Sequence, residues 1–141
     1  MTTNPRYRFF EHTADLGLEI TGRDLPELFA NACFALFDIL AAPDGLVGEQ
    51  NTEISVSGVD TPDLLVNWLR ELLAQWTVYG RLVAAVDILF FAETELRARL
   101  DWDEFDPARH RLKTEVKAVT YHALAVEQTA RGRVARVVLD L

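Results

Sequence analysis

The stretch FFEHTADLGLEI, Phe9 to Ile20, sets a histidine and an aspartate, His12 and Asp15, three residues apart ahead of an alternating apolar run. A second polar group, Lys117, Thr120, Tyr121 and His122, interrupts the pattern of VKAVTYH, and Asp140 stands next to Leu141 in the closing RVVLDL. Carboxylates are the oxygen ligands that hard cations such as calcium, magnesium and manganese require. Asp15, Asp140 and the carboxylate at Leu141 could supply them if the last strand runs beside the one that follows HTAD. The plainer reading has Asp15 closing a turn and Asp140 solvated, and spacing alone favours it. His12 could be a ligand or an acid–base group, although its spacing favours a hydrogen bond within its own loop. His122 could serve in the same way. His110, in the polar DPARHR, reads as exposed, and Lys117 reads as an outward, solvated charge.

Motifs for covalent or nucleotide chemistry are missing. The chain has no GxSxG, no P-loop lysine, no GxGxxG and no HExxH. Cys33 is the sole cysteine, so neither an internal disulfide nor a thiolate metal cluster can form. Flanked by Ala32 and Phe34, it reads as an inert core thiol.

Length and charge narrow the classes further. With 141 residues, half of them hydrophobic, the chain fits one soluble domain. No apolar run is long enough to span a bilayer, and Met1 to Tyr7 lacks the apolar core of a signal peptide, so a cytoplasmic protein is expected. The 22 acidic and 14 basic residues leave a net charge of −8. Affinity for bare nucleic acid comes largely from basic groups on phosphates, so direct nucleic-acid binding is not expected. A cation or a basic protein surface is the better electrostatic match.

The elements that must position these residues follow from periodicity. Tyr7 to Phe10 predicts a first strand, and Leu16, Leu18 and Ile20 alternate as a second. Asp24, Pro26 and Glu27 carry helix-start signals, and Leu25, Leu28, Phe29, Ala32, Cys33, Leu36, Phe37 and Leu40 form one helical stripe ending near Ala42. Ile54 and Val56 predict a strand. Thr61 as cap and Pro62 at the first position open a second helix, with its stripe on Leu65, Trp68, Leu69, Leu72, Leu73 and Trp76. Further strands are expected over Val83 to Phe91, Leu96 to Trp102, Leu112 to Val116, Leu124 to Val126 and Val134 to Asp140. The expected class is α+β, a mainly antiparallel sheet with two amphipathic helices packed on it.

FEHTADLGLEI, VKAVTYHALAVE and RVVLDL, in this order, resemble the archease family, and DLPELFANACFALFDIL and LLVNWLRELL are similar to that family's two helices. The resemblance covers essentially the whole chain and implies a single archease-like domain over 1–141. It further implies an accessory protein and not a free-standing enzyme. Archeases assist RtcB-type RNA ligases, in tRNA splicing or RNA repair, by promoting the metal- and GTP-dependent guanylylation that allows multiple turnover. Asp15 and Asp140 match the aspartates of the family's acidic metal site, with Leu141 contributing main-chain oxygen and Lys117 matching its functional lysine. His12 and His122 would support the site. The implied cofactor is a divalent ion, calcium in the isolated protein and manganese or magnesium in function. The alternative is a chaperone-like binding module for an RNA-modifying enzyme such as a tRNA methyltransferase, a role that should survive loss of both aspartates.

Overall fold

The computed structural model describes residues 6–12 and 15–141, Glu11 and His12 by their main chain alone. Thr13 and Ala14, the middle of HTAD, lie outside the described residues. Among these residues the chain order is β1 (Tyr7–His12), β2 (Asp15–Gly22), α1 (Leu25–Leu40), β3 (Gln50–Ser57), α2 (Thr61–Thr77), β4 (Arg81–Ala92), β5 (Glu95–Glu104), β6 (Ala118–Thr129) and β7 (Gly132–Asp140).

Both helices begin where a side chain replaces the missing turn. The Asp24 carboxylate accepts the Glu27 amide at 3.0 Å, and Pro26 sits in the first turn without costing a hydrogen bond. In α2 the cap is Asp60, one residue before the expected Thr61, and its carboxylate accepts the Asp63 amide at 2.9 Å. A carboxylate also complements the positive helix end, which a threonine hydroxyl does not. The predicted stripes are the buried faces. Trp68 has no exposed surface, and its indole Nε1 donates to the Phe29 carbonyl at 2.8 Å, tying α2 to α1 through the core. Each such side chain contributes roughly 1.5–3 kcal/mol by leaving water. Cys33 is buried on the α1 stripe as expected, and burial pushes its thiol above the ordinary range.

The α+β class holds, but the strands divide into two antiparallel sheets, ordered β1-β2-β7-β6 and β3-β5-β4. The helices link them: α1 packs on β2 and β4, and α2 on β6 and β3. Strand β5 shows the clean alternation its sequence predicts, with Leu96, Ala98 and Leu100 buried between exposed neighbours. Strand β4 is an edge strand with two register shifts, which is why its apolar run leaves Leu89 and Phe90 exposed.

Two expectations fail in the segment before β6. Leu112 to Val116 is not a ladder strand; only Leu112 forms a bridge, to Ala41. The amides of Lys113 and Thr114 donate instead to the carbonyls of Leu40 and Ile39, at 2.9 and 3.1 Å. The last carbonyls of α1 lack partners within the helix, and this segment supplies them. His110 is buried, not exposed. Its Nδ1 accepts the Asp106 amide at 3.0 Å, leaving Nε2–H to donate to the Gly45 carbonyl at 3.1 Å. Beside it, the buried Asp103 carboxylate accepts the amides of Val47, Gly48 and Glu49 at 2.6, 3.0 and 2.9 Å. Burial opposes its ionisation, yet these three amides outweigh burial and hold Asp103 below the usual carboxylate range. A polar loop in sequence is a satisfied buried network in the fold.

Candidate functional site

The register of the four-stranded sheet brings the scattered motifs together. Asp15 pairs with Asp140 across β2 and β7, His12 pairs with Asp15 across β1 and β2, and Ala118 pairs with Asp140 across β6 and β7. One row therefore crosses all four strands at one end of the sheet. The Lys117 amide extends it, donating to the main-chain carbonyl of Asp140 at 2.7 Å. Directly paired residues in an antiparallel ladder share a face and lie roughly 4.5–5.5 Å apart at Cα. Asp15 and Asp140 thus sit side by side on one face, the face away from buried Leu18, Ile20, Val137 and Leu139. His12 and Asp15 are the last pair of the β1–β2 ladder.

The neighbouring rows explain why this end is the polar one. Phe10 pairs with Gly17, and a Cβ on Gly17 would stand 2.1 Å from the Phe10 ring. Glycine is needed so that the ring can lie across the strand beside Val138. Beyond that apolar row, Glu19 bridges Arg8 and Arg136, at 2.8 and 2.9 Å. Arg8 first, then Arg136, holds the Glu19 carboxyl below its ordinary range despite partial burial. The sheet face runs from paired carboxylates, through an aromatic strip, to an ion-paired ladder.

The remaining predicted residues are placed differently. Lys117 has an exposed side chain next to the row. Leu141 follows Asp140, and its side chain packs against the core. His122 is exposed and sits apart, in a bulge where the pairing of β6 with β7 jumps from Thr120 to Ala125. Ala123 takes a positive φ of 53° within it, a conformation that an L-residue adopts at some cost. The row gathers Asp15, Asp140, Lys117 and the His12 main chain, but not His122.

What holds the bulge was not read from sequence. Tyr121 donates its hydroxyl to Asp63 at 2.7 Å, and the Arg70 guanidinium stacks on the Tyr121 ring at 4.8 Å. Arg70 also donates to the Val119 carbonyl at 3.1 Å. The Val59 amide and then the Tyr121 hydroxyl hold Asp63 low, and the same bond to Asp63 pushes Tyr121 up. Both α2 residues look like ordinary surface charges in sequence; the only signal was that TYH breaks an apolar alternation.

Residues 7–141 match the family model described as the archease protein family (MTH1598/TM1083). This chain belongs to the archease family. It is 34% identical over 140 residues to the protein archease of Methanosarcina mazei, covering 96% of each chain. Identity to the archease of Sulfolobus acidocaldarius is 30%, over 96% of this chain and 99% of that one. The solution structure of Methanobacterium thermoautotrophicum protein 1598 superposes with a TM-score of 0.73 at 31% identity, covering 96% of this chain and 99% of its own. Membership of the archease family supports an accessory protein.

The donor chemistry of the row suits a hard divalent ion. Two carboxylates directly opposed on one sheet face repel each other, and a cation between them removes that cost. Among the described residues no group of three or more His, Cys, Asp or Glu side chains clusters as a metal centre. Protein side chains would thus supply two carboxylates, with other positions left to main-chain oxygen, water or a partner. Among those residues, no helix is long and apolar enough to cross a membrane.

Proposed function

We infer that this archease-family chain activates an RtcB-type RNA ligase, in tRNA splicing or RNA repair, through a divalent ion held at the Asp15–Asp140 row. The observation that carries the reading is the register itself. Three stretches far apart in sequence, each resembling a family motif, meet at one end of one sheet because Asp15 pairs with Asp140 and Lys117 donates to Asp140.

Asp15 and Asp140 would hold the ion with their carboxylates, and Leu141 with main-chain oxygen. A divalent ion bound there would supply positive charge for the phosphate oxygens of GTP. Calcium, magnesium and manganese all accept such oxygen donors, and magnesium and manganese tolerate a site that keeps several waters. Lys117, exposed beside the row, offers a point charge to a ligase carboxylate or to a phosphate. A net charge of −8 favours docking on the basic cleft that an RNA ligase presents.

The test is guanylylation of the cognate ligase at limiting manganese, with native protein and with Asp15→Asn and Asp140→Asn. Native protein is expected to restore multiple turnover and the two variants to lose that effect. Manganese titration of the isolated chain gives a second readout, with binding weakened in both variants. Full stimulation by either variant would sink the metal-assisted reading.

A further inference from the structure

The opposite end of β2 carries the opposite charge. Asp15 pairs with Asp140 at one end and Gly22 with Arg133 at the other, which at the usual strand rise separates the ends by roughly 23 Å. There the β6–β7 turn is pressed against the β2–α1 connection. A Cβ on Gly132, whose φ is +128°, would meet the Gly22 carbonyl oxygen at 2.5 Å, and one on Gly22 would meet the Leu28 amide nitrogen at 2.5 Å. Two glycines in contact leave no side chain between these segments, and this brings Arg131 of the turn beside Arg23.

Arg6 arrives from the third side, its carbonyl accepting the Thr21 amide at 3.0 Å and its guanidinium lying 4.8 Å over the Phe34 ring. Together they line an open cleft of about 450 Å³. Nearly buried Asn31 forms part of its lining, its amide donating to the Thr21 carbonyl at 2.8 Å. Glu27, also on the wall, is engaged by Arg23, whose Nε and main-chain amide reach its two oxygens at 2.9 and 3.0 Å. Arg131 makes no ion pair with any described residue. Three guanidiniums against one carboxylate leave the lining with a formal charge of +2, in a chain whose total is −8.

We propose that this cleft binds a terminal phosphate group, with Arg6 and Arg131 as its contacts and the Arg23–Glu27 pair as its frame. Guanidinium forks match phosphate oxygens in geometry. The charge selects among anions: a phosphomonoester carries about −1.5 to −2 near neutral pH, whereas a carboxylate or an internal phosphodiester carries a single charge. The basic surface is one local cleft, not a track, so it suits one end group and not a length of nucleic acid. The group comes from a mononucleotide or from a phosphate-ended RNA. The cleft is remote from the aspartate row; the choice of a mononucleotide or an RNA end as the source of the phosphate rests on the role inferred for that row.

The test is an NMR titration of the whole protein at low ionic strength. Its probes are inorganic phosphate, GMP, a short oligoribonucleotide ending in a 3′-phosphate, the same oligomer ending in a 3′-hydroxyl, and an acidic peptide. Saturable shifts are expected at Thr21 to Arg23 and Arg131 to Gly132, weakened about tenfold or more in Arg131→Gln and unchanged in Asp140→Asn. Arg131→Lys, which keeps the charge but loses the fork, should bind between the two. Tightest binding of GMP identifies a nucleotide site, and tightest binding of the 3′-phosphate oligomer identifies an RNA end. Equal binding of the 3′-hydroxyl oligomer or the acidic peptide overturns the proposal, as does phosphate binding that Arg131→Gln leaves intact.

Discussion

Arg70 of α2 donates to the main-chain carbonyl of Val119, two residues beyond Lys117 and one beyond the residue that pairs with Asp140. A helix side chain thereby fastens the strand at the aspartate row, and its stacking on Tyr121 fastens the bulge that follows. Arg70→Ala should cost about 1 kcal/mol in urea unfolding, small because the side chain is exposed. Hydrogen exchange should quicken at Thr120 to Leu124 and not in α1. Unaltered exchange across the bulge would show that Arg70 does not hold it.

The opposed carboxylates predict a stability change of unusual sign. Asp140→Asn removes a like-charge neighbour of Asp15 on the same face. The metal-free variant should be as stable as the native chain or more so, by up to about 1 kcal/mol. Affinity for manganese or calcium should fall about tenfold or more. Calorimetric titration with parallel thermal melts checks both at once, and a large destabilisation without metal would mark Asp140 as structural.

Lys117 is expected to separate binding from activation. Its side chain is exposed, so Lys117→Met should alter stability by less than about 0.5 kcal/mol. Ion binding should persist while stimulation of ligase guanylylation is lost. Retained stimulation in single-turnover and multiple-turnover assays would remove Lys117 from the mechanism.

Asp103 gives the fold an acid-sensitive joint. Its carboxyl is held below the usual range against the cost of burial, by three amides. A carboxylate depressed in the folded state contributes stability above its unfolded value of about 3.9, and that contribution is lost as pH falls through the folded value. Asp103→Asn should cost about 2 kcal/mol at pH 7. The gap between variant and native should narrow below about pH 4, measurable as urea midpoints across a pH series.

Gly132→Ala should destabilise by about 2 kcal/mol, because its φ of +128° is strained for alanine. The added methyl group also meets the Gly22 carbonyl oxygen, so the turn must lift and Arg131 must move with it. Chemical shifts at Gly22, Arg23 and Arg131 should change together. A shift confined to the turn would show that the two segments are not mechanically joined.

Periodicity revealed the helices because both amphipathic stripes are long, and it revealed β5 because one of its faces is buried and the other wet. It misread 112–116 because alternating residues also arise where a segment caps a helix end, as Lys113 and Thr114 do for α1. Polarity misled at His110, whose ring is buried only because Asp106 and Gly45 satisfy both nitrogens. For the site, Asp15 and Asp140 were identifiable as candidates through the family resemblance, but their pairing is a property of register. That depends on two strands whose contacts span nearly the whole chain. The clamp of Asp63 and Arg70 on β6 was invisible, since exposed charges on a helix carry no mark of the strand they meet.

Strand β7 lies in the middle of its sheet, between β2 and β6, yet follows every other described element. During synthesis the helices and the three-stranded sheet can collapse early, whereas β1 and β2 must wait with one edge unpaired. Sequence-distant pairing of this kind slows folding and leaves a hairpin edge exposed in the meantime. Asp15 and Asp140 therefore stand side by side only once β7 has been made and has paired with β2.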